Sequence, residues 1–301
     1  MTAISREEWL NLRRTGLGGS DISAIMGFNK YKTPLDVFYE KTTDVVDDSM
    51  SEAAYWGIRL EQEVAREFAE RTGHKVQRVN KMLRHPEQSW MCGNIDRGIV
   101  DPEISGVVRW KDGRLTTSRG LECKTANQFL DSEWGEEMTD QVPDAYVCQC
   151  QWYMGVTGCT EWYLAVLIGG QKFKVYLIKR DDVFIDLLMK AGHAFWHDHV
   201  LTGIPPEPVT FADAMQLYGQ PVKDKPYYMS DDDISLLAKY RLAKESEKSS
   251  RQEGDTVKLE IVKRIKDADC LVYNGQVVAT FKPRKTTGDG VTRVLTLKEA
   301  A

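Results

Sequence analysis

All eight tryptophans of this 301-residue chain lie between Trp9 and Trp196, and five of its ten prolines follow in one segment: Pro205, Pro206, Pro208, Pro221 and Pro226. Proline fixes φ and donates no backbone hydrogen bond, so such a segment cannot continue a helix or run through the middle of a sheet. The distribution predicts a tryptophan-rich core domain over 1–204, a proline-rich linker or strap over 205–230, and a lesser C-terminal extension over 231–301. The length suits about two domains, and 42% apolar with 28% charged residues is the composition of a folded chain rather than a disordered one. A net charge of −5 excludes coating nucleic acid through bulk positive charge and leaves local basic patches open. No apolar run approaches the roughly 18 residues that span a bilayer. Arg6, Glu7 and Glu8 close to Met1 lack the pattern of a signal peptide, so the expected location is the cytoplasm. Six scattered cysteines without a Cys-x-x-Cys pair give neither a disulfide framework nor a zinc ribbon.

Periodicity predicts short helices over 4–14 and 21–26 around the turn Gly16-Leu17-Gly18-Gly19-Ser20, with Ser20 as the N-cap of the second. A long helix over 52–71 stops at Gly73. Strands are expected over 75–79, 90–95, 98–100 and 120–125, with a surface excursion over 101–119. Pro143 opens a helix to about 154, strands over 161–168 and 172–178 turn about Gly169 and Gly170, and a helix over 183–200 ends the domain. In the extension, 234–266 is helical in composition, and its charged middle around Gly254 is expected to be a solvated face or a turn between two helices. Asn274-Gly275 between 271–273 and 276–281 signals a type I′ hairpin.

The chemistry concentrates on two strands. Asp96 ends the apolar segment Gly93-Asn94-Ile95-Asp96, and Glu122-Cys123-Lys124 lies in another strand. Residues two apart on a strand share a face, so Glu122 and Lys124 project together while Cys123 points into the opposite layer. Two carboxylates and a lysine suit metal-assisted phosphodiester hydrolysis: hard oxygen ligands hold Mg²⁺ and leave room for water and phosphate. The same Glu-x-Lys is also the pattern of a plain strand-edge ion pair. Gly16 to Ser20, followed by a helix, is either a flexible capped turn or, beside Arg13 and Arg14, a phosphate site; no Gly-Lys-Ser/Thr ending supports a nucleotide loop. His193, His197 and His199 fit the C-terminal end of a helix better than a metal centre. Cys148, Cys150 and Cys159 lack iron–sulfur spacing.

In order along the chain, Arg14-Thr15-Gly16-Leu17-Gly18-Gly19-Ser20-Asp21-Ile22, Glu61, Gly93 to Asp96, Glu122 to Thr125, and Tyr146 with Gln149 resemble the YqaJ-type viral recombinase family, relatives of phage lambda exonuclease within the PD-(D/E)xK nuclease superfamily. The similarity reaches about Pro205, although Ile95 stands where the superfamily has a proline. The resemblance implies an α/β nuclease core with a mixed central sheet flanked by helices, followed by the helical and β-hairpin extension. It implies Asp96, Glu122 and the Cys123 backbone carbonyl as metal ligands, with Glu61 as an accessory acid, direct or indirect. Lys124 would activate water, and Gln149 would help place that water or the metal shell. Arg14, Ser20, Arg13 and Tyr146 would meet DNA and its 5′-phosphate. The implied cofactor is Mg²⁺, with Mn²⁺ as a substitute and two ions per site. The implied activity is 5′ to 3′ resection of double-stranded DNA ends, leaving 3′ single strands for recombination. The implied setting is a phage or prophage protein in the bacterial cytoplasm, a homo-oligomer, in some relatives a ring, partnered by a single-strand annealing recombinase. A related endonuclease and a non-catalytic DNA-binding relative are the alternatives.

Overall fold

Strands marked by the alternation assemble into one central sheet in the computed structural model, which describes residues 6–43, 51–285 and 291–298. Two units divide the chain, Met1–Pro221 and Val222–Ala301. The first contains helices α1 (Arg6–Arg14), α2 (Gly19–Ile25), α3 (Pro34–Thr42) and α4 (Glu52–Thr72), then strands β1 (Val76–Arg78), β2 (Leu83–Arg84), β3 (Cys92–Gly93), β4 (Arg97–Ile99), β5 (Trp110–Lys111), β6 (Arg114–Leu115) and β7 (Arg119–Ala126). After a 3₁₀ turn come α5 (Asp144–Thr157), β8 (Glu161–Ile168), β9 (Lys172–Lys179), α6 (Asp182–Phe195) with a π-helical end over Trp196–Val200, and α7 (Phe211–Tyr218).

The sheet order is β1-β4-β7-β8-β9. Only β7 and β8 run parallel, joined by the α5 crossover; the other neighbours are antiparallel. The sheet is therefore mixed, and helices flank it. On one face, Val64, Ala65 and Phe68 of α4 cover Ile99, Leu121, Cys123, Tyr163 and Ala165. On the other, α5 carries Cys148, Trp152, Met154 and Val156 into the core with Leu164, Val166 and Tyr176. Nearly the whole circumference of α5 is buried, as a helix enclosed between a sheet and other helices requires. Each fully buried large side chain, such as Phe68 or Leu121, contributes about 1.5–3 kcal/mol of transfer free energy.

Several local details differ from the sequence expectation. Helix α2 begins at Gly19 and is capped at Gly18, so Ser20 sits inside its first turn; the Asp21 carboxylate reaches back to the Gly18 N–H instead. Helix α3 appears between the expected elements, started by a reciprocal Thr33–Asp36 cap with Pro34 in its first turn. The expected strand over 90–95 shortens to β3, and Asp96 lies in the bend just before β4. Within the segment expected as a linker, α7 folds with its buried Asp213 accepting from the Thr33 hydroxyl at 3.0 Å. Among the tryptophans, Trp56 is exposed rather than part of the core.

The second unit consists of α8 (Asp231–Ile265) and the antiparallel sheet β10 (Cys270–Tyr273), β11 (Gln276–Lys285) and β12 (Val291–Leu297). Helix α8 runs through Gly254 without a turn. Asn274 and Gly275 take positive φ at the β10–β11 hairpin, as the dipeptide predicts.

Glycine at position 19 is what lets α2 lie against α5, because a Cβ there would stand 2.7 Å from Gln149 Cγ and 3.2 Å from the Gln149 carbonyl oxygen. Gly19→Ala is expected to lower stability by about 1–3 kcal/mol through overpacking, measured by denaturant unfolding; an unchanged midpoint would mean that the two helices separate at no cost.

Candidate active site

Strand β7 divides its side chains between two layers. Cys123 is buried against α4, while Glu122 and Lys124 emerge on the α5 side and meet, Lys124 Nζ donating to Glu122 Oε1 at 2.6 Å. Gln149 of α5 donates to the same oxygen at 2.7 Å and to the Tyr153 hydroxyl at 2.9 Å. The second oxygen, Glu122 Oε2, is buried with no hydrogen-bond partner among the described residues. Because β4 pairs with β7 only at Arg97–Leu121 and Gly98–Gly120, the edge of β7 beyond Leu121 is open there. Asp96, in the bend before β4, fills the opening: its Oδ2 accepts from the Cys123 N–H at 2.8 Å. A strand residue directs its N–H and C=O to the same edge, so the Cys123 carbonyl leaves toward Asp96 as well.

Burial, then the Glu122 carboxylate, push the Asp96 carboxyl up to about 8, with Lys124 opposing. Burial alone would lower Lys124, but Glu122 and Asp96 outweigh it and hold the ammonium above its ordinary range. With both carboxyls ionised the site would carry more negative charge than its one lysine offsets, which is why Asp96 holds its proton here, and it has an unsatisfied buried carboxylate oxygen besides. Such a donor set of hard oxygens suits a divalent cation of the Mg²⁺ type. Asp96 and Glu122 form a pair; among the described residues no three His, Cys, Asp or Glu side chains gather as a ligand group. Glu61 lines the same cavity, yet its Oε1 is engaged by Arg97 at 2.6 Å and Arg78 at 3.1 Å, which sets it outside the pair.

The cavity, about 1170 Å³, is lined by Asp96, Glu122 and Lys124 together with Arg13, Gly18, Gly19 and Ser20. The residues expected to meet phosphate thus divide: Arg13 and Ser20 line the cavity, and Arg14 does not, donating to Asn11 instead at 3.1 Å. Tyr146 stands behind the site, its ring 5.1 Å from Lys124 Nζ and stacked on Trp134, where it supports the lysine. The histidines expected at the helix end form a stack of His193 on His197 beside Trp90, away from the cavity.

The sequence reading missed Lys32 and Lys41. Both reach Asp21, which has no solvent exposure: Lys41 Nζ at 2.7 Å, Lys32 Nζ at 2.9 Å, and Arg13 at 3.3 Å. Burial alone would raise the Asp21 carboxyl, but Lys41, Lys32 and Arg13 outweigh it and hold the group far below its ordinary range. Lys41 also donates to the Arg13 carbonyl at 2.9 Å, tying α3 to α1. The reciprocal Thr33-Pro34-x-Asp36 start of α3 was the available signal for placing these lysines.

A model of the YqaJ-like viral recombinase domain matches residues 8–160. The chain belongs to that family. The uncharacterized protein YqaJ of Bacillus subtilis (strain 168) is 37% identical over 287 residues, which are 93% of this chain and 84% of that one. Among solved structures, LHK-Exo in complex with dAMP is similar over 66% of this chain and 94% of its own, with 18% identity and a TM-score of 0.50. A second LHK-Exo structure, described as an alkaline exonuclease from Laribacter hongkongensis, has the same coverage, 17% identity and a TM-score of 0.47. The first likeness is one of fold: the mixed sheet and its helices share the architecture of LHK-Exo. No described helix is long and apolar enough to cross a membrane.

Removing the Asp21 charge leaves three cations facing one another. Asp21→Asn is expected to cost about 3–5 kcal/mol, the range for breaking a buried ion pair. Since folding depresses this carboxyl, its stabilisation is fully present above the usual aspartate range near pH 4 and is lost as pH falls below it. Urea unfolding of both proteins between pH 2 and 7 checks this: the difference between them should narrow toward acid, and a constant difference would contradict the assignment.

Proposed function

We propose that the protein is a Mg²⁺-dependent exonuclease that resects double-stranded DNA ends in the 5′ to 3′ direction and leaves 3′ single strands for recombination. The observation that carries this reading is one cavity holding both the Asp96–Glu122–Lys124 group, with its unsatisfied carboxylate oxygen, and the Arg13–Ser20 rim. Asp96, Glu122 and the Cys123 carbonyl would hold the cation, on this reading two ions per site, with Glu61 acting through Arg97 at one remove. When bound, Mg²⁺ lowers the pKa of water and neutralises charge growing on the phosphate. Lys124, kept protonated by its two carboxylate neighbours, orients the attacking water and donates to the phosphoryl oxygens as they gain charge. Gln149 fixes the Glu122 carboxylate through Oε1, which leaves Oε2 to the cation. At the other rim Arg13, the α2 backbone and Ser20 receive the terminal 5′-phosphate, so that one strand is cut from one end. On this reading the protein works as a homo-oligomer in a bacterial host cytoplasm, encoded by a phage or prophage, beside a single-strand annealing recombinase.

Asp96→Asn and Glu122→Gln are each expected to abolish Mg²⁺-dependent release of nucleotides from linear duplex DNA, with Mn²⁺ substituting in the unaltered protein and covalently closed circles left intact. Undiminished hydrolysis by either variant removes the proposed site, and rapid cutting of closed circles makes the protein an endonuclease.

Arg13→Ala should shrink the preference for a 5′-phosphorylated over a 5′-hydroxyl duplex by about 1.5–3 kcal/mol, the worth of a hydrogen bond to a charged group. Arg14→Ala should leave that preference in place. The check is the ratio of initial rates on the two substrates under kcat/KM conditions.

A further inference from the structure

Tyr153 carries a hydroxyl that its packing does not require. The residue lies on α5 one turn beyond Gln149 and lines the cavity, although its side chain is almost wholly buried. Its ring is tilted against Trp162 with 5.4 Å between centroids. Two glycines make room for it: a Cβ on Gly19 would stand 3.0 Å from Tyr153 Cε1, and a Cβ on Gly93 would stand 3.0 Å from Cδ1. All of these contacts are made by ring carbons, and phenylalanine would make them equally well.

The protons around the hydroxyl follow from Glu122. Its Oε1 already accepts from Lys124, and a carboxylate oxygen accepts without donating. The Gln149 atom facing it at 2.7 Å is therefore the amide nitrogen and not the amide oxygen. That nitrogen directs its second proton to the Tyr153 oxygen at 2.9 Å. The phenolic oxygen thus accepts from Gln149, and its own proton must point elsewhere. Among the described residues no acceptor takes it. Glu122 Oε2 is not that acceptor, because it has no hydrogen-bond partner either. A phenol keeps its proton at neutral pH, and burial, then Glu122, push it higher still. Buried tyrosine hydroxyls normally find a partner, so an O–H donor is fixed at the cavity wall for an acceptor that the described residues do not supply.

We propose that the Tyr153 hydroxyl donates to a non-bridging oxygen of the phosphodiester being cut, as a further substrate-binding residue. The proposal rests on the nuclease reading of the cavity and deepens it. Position selects the phosphodiester over the terminal 5′-phosphate. The hydroxyl is joined to Glu122, the carboxylate assigned to the cation, through the single amide of Gln149, whereas the ring carbons and not the hydroxyl meet Gly19 beside Ser20. A phosphoryl oxygen gains charge during attack, so this hydrogen bond strengthens toward the transition state.

Tyr153→Phe keeps the ring and removes the donor. It should lower kcat/KM for Mg²⁺-dependent nucleotide release from a 5′-phosphorylated linear duplex about 10- to 100-fold, as expected for a lost hydrogen bond to a charged group, and should retain a cooperative urea transition. A hydroxyl that acted only by holding Gln149 would give the same loss, so a second measurement separates the two. Duplexes carrying a methylphosphonate of either configuration at the first linkage lack one or the other non-bridging oxygen, and their affinities are read by fluorescence anisotropy with Ca²⁺ in place of Mg²⁺. Tyr153→Phe should weaken binding at least fivefold less on one configuration than on the other, because only one has lost the acceptor. Equal losses on the two configurations would overturn the proposal. Hydrolysis by Tyr153→Phe as fast as by the unaltered protein would overturn it alone, whereas no hydrolysis by the unaltered protein would overturn the nuclease reading and this inference with it.

Discussion

The Asp21 carboxylate, wholly enclosed and met by Arg13, Lys32 and Lys41, is the interaction on which one rim of the cavity depends. Stripping water from four charged groups is costly, and such a cluster persists only when each charge finds a partner in good geometry. Here the partners come from α1, α3 and the segment leading into α3, so three consecutive helices are fixed by one side chain. Asp21 also holds the Gly18 N–H at 2.9 Å, which sets the entry of the chain into α2 and thereby the place of Ser20.

The Asp96–Glu122–Lys124 group depends on the central sheet. Strand β7 is paired along its whole length with β8 and only partly with β4, so its backbone is rigid while one edge stays open at Cys123. Asp96 uses that opening to bond the strand's own N–H, which locks the spacing between the two carboxylates without a further strand. Helix α5 supplies Gln149 and Tyr153 from the crossover that parallel pairing of β7 with β8 requires. The arrangement of the candidate site and the topology are thus one feature, because the helix that connects the two parallel strands also carries the side chain that bonds Glu122.

Much of this was legible in the sequence where it followed a period. The two-residue period of β7 placed Glu122 with Lys124 and sent Cys123 to the other layer, and the run from Glu52 to Gly73 read plainly as a helix with a glycine stop. What the sequence did not disclose depends on long-range partners. The setting of Asp96 in a bend follows from the pairing of β4 with β7, which no local pattern encodes. Lys32 and Lys41 look like ordinary surface lysines until α3 folds across α1. Arg13 and Arg14 are neighbours with the same chemistry, and only the direction of the last turn of α1 decides which one lines the cavity. At Gly254 local propensity pointed to a break, and the strong helix formers on both sides prevailed.

Asp21 has a further consequence for how the rim meets a polyanion. Arg13, Lys32 and Lys41 each face the fixed Asp21 carboxylate where a counter-ion would otherwise stand, and Glu40 accepts from Lys32 as well. On the proposed reading, a phosphate chain arriving there would meet cations already offset by Asp21 and Glu40, so fewer of its own condensed cations would be released than three lysine and arginine charges would suggest, and the entropy of ion release would be correspondingly smaller. Attraction there would come from directed hydrogen bonds more than from a diffuse ion cloud, and would persist as ionic strength rises.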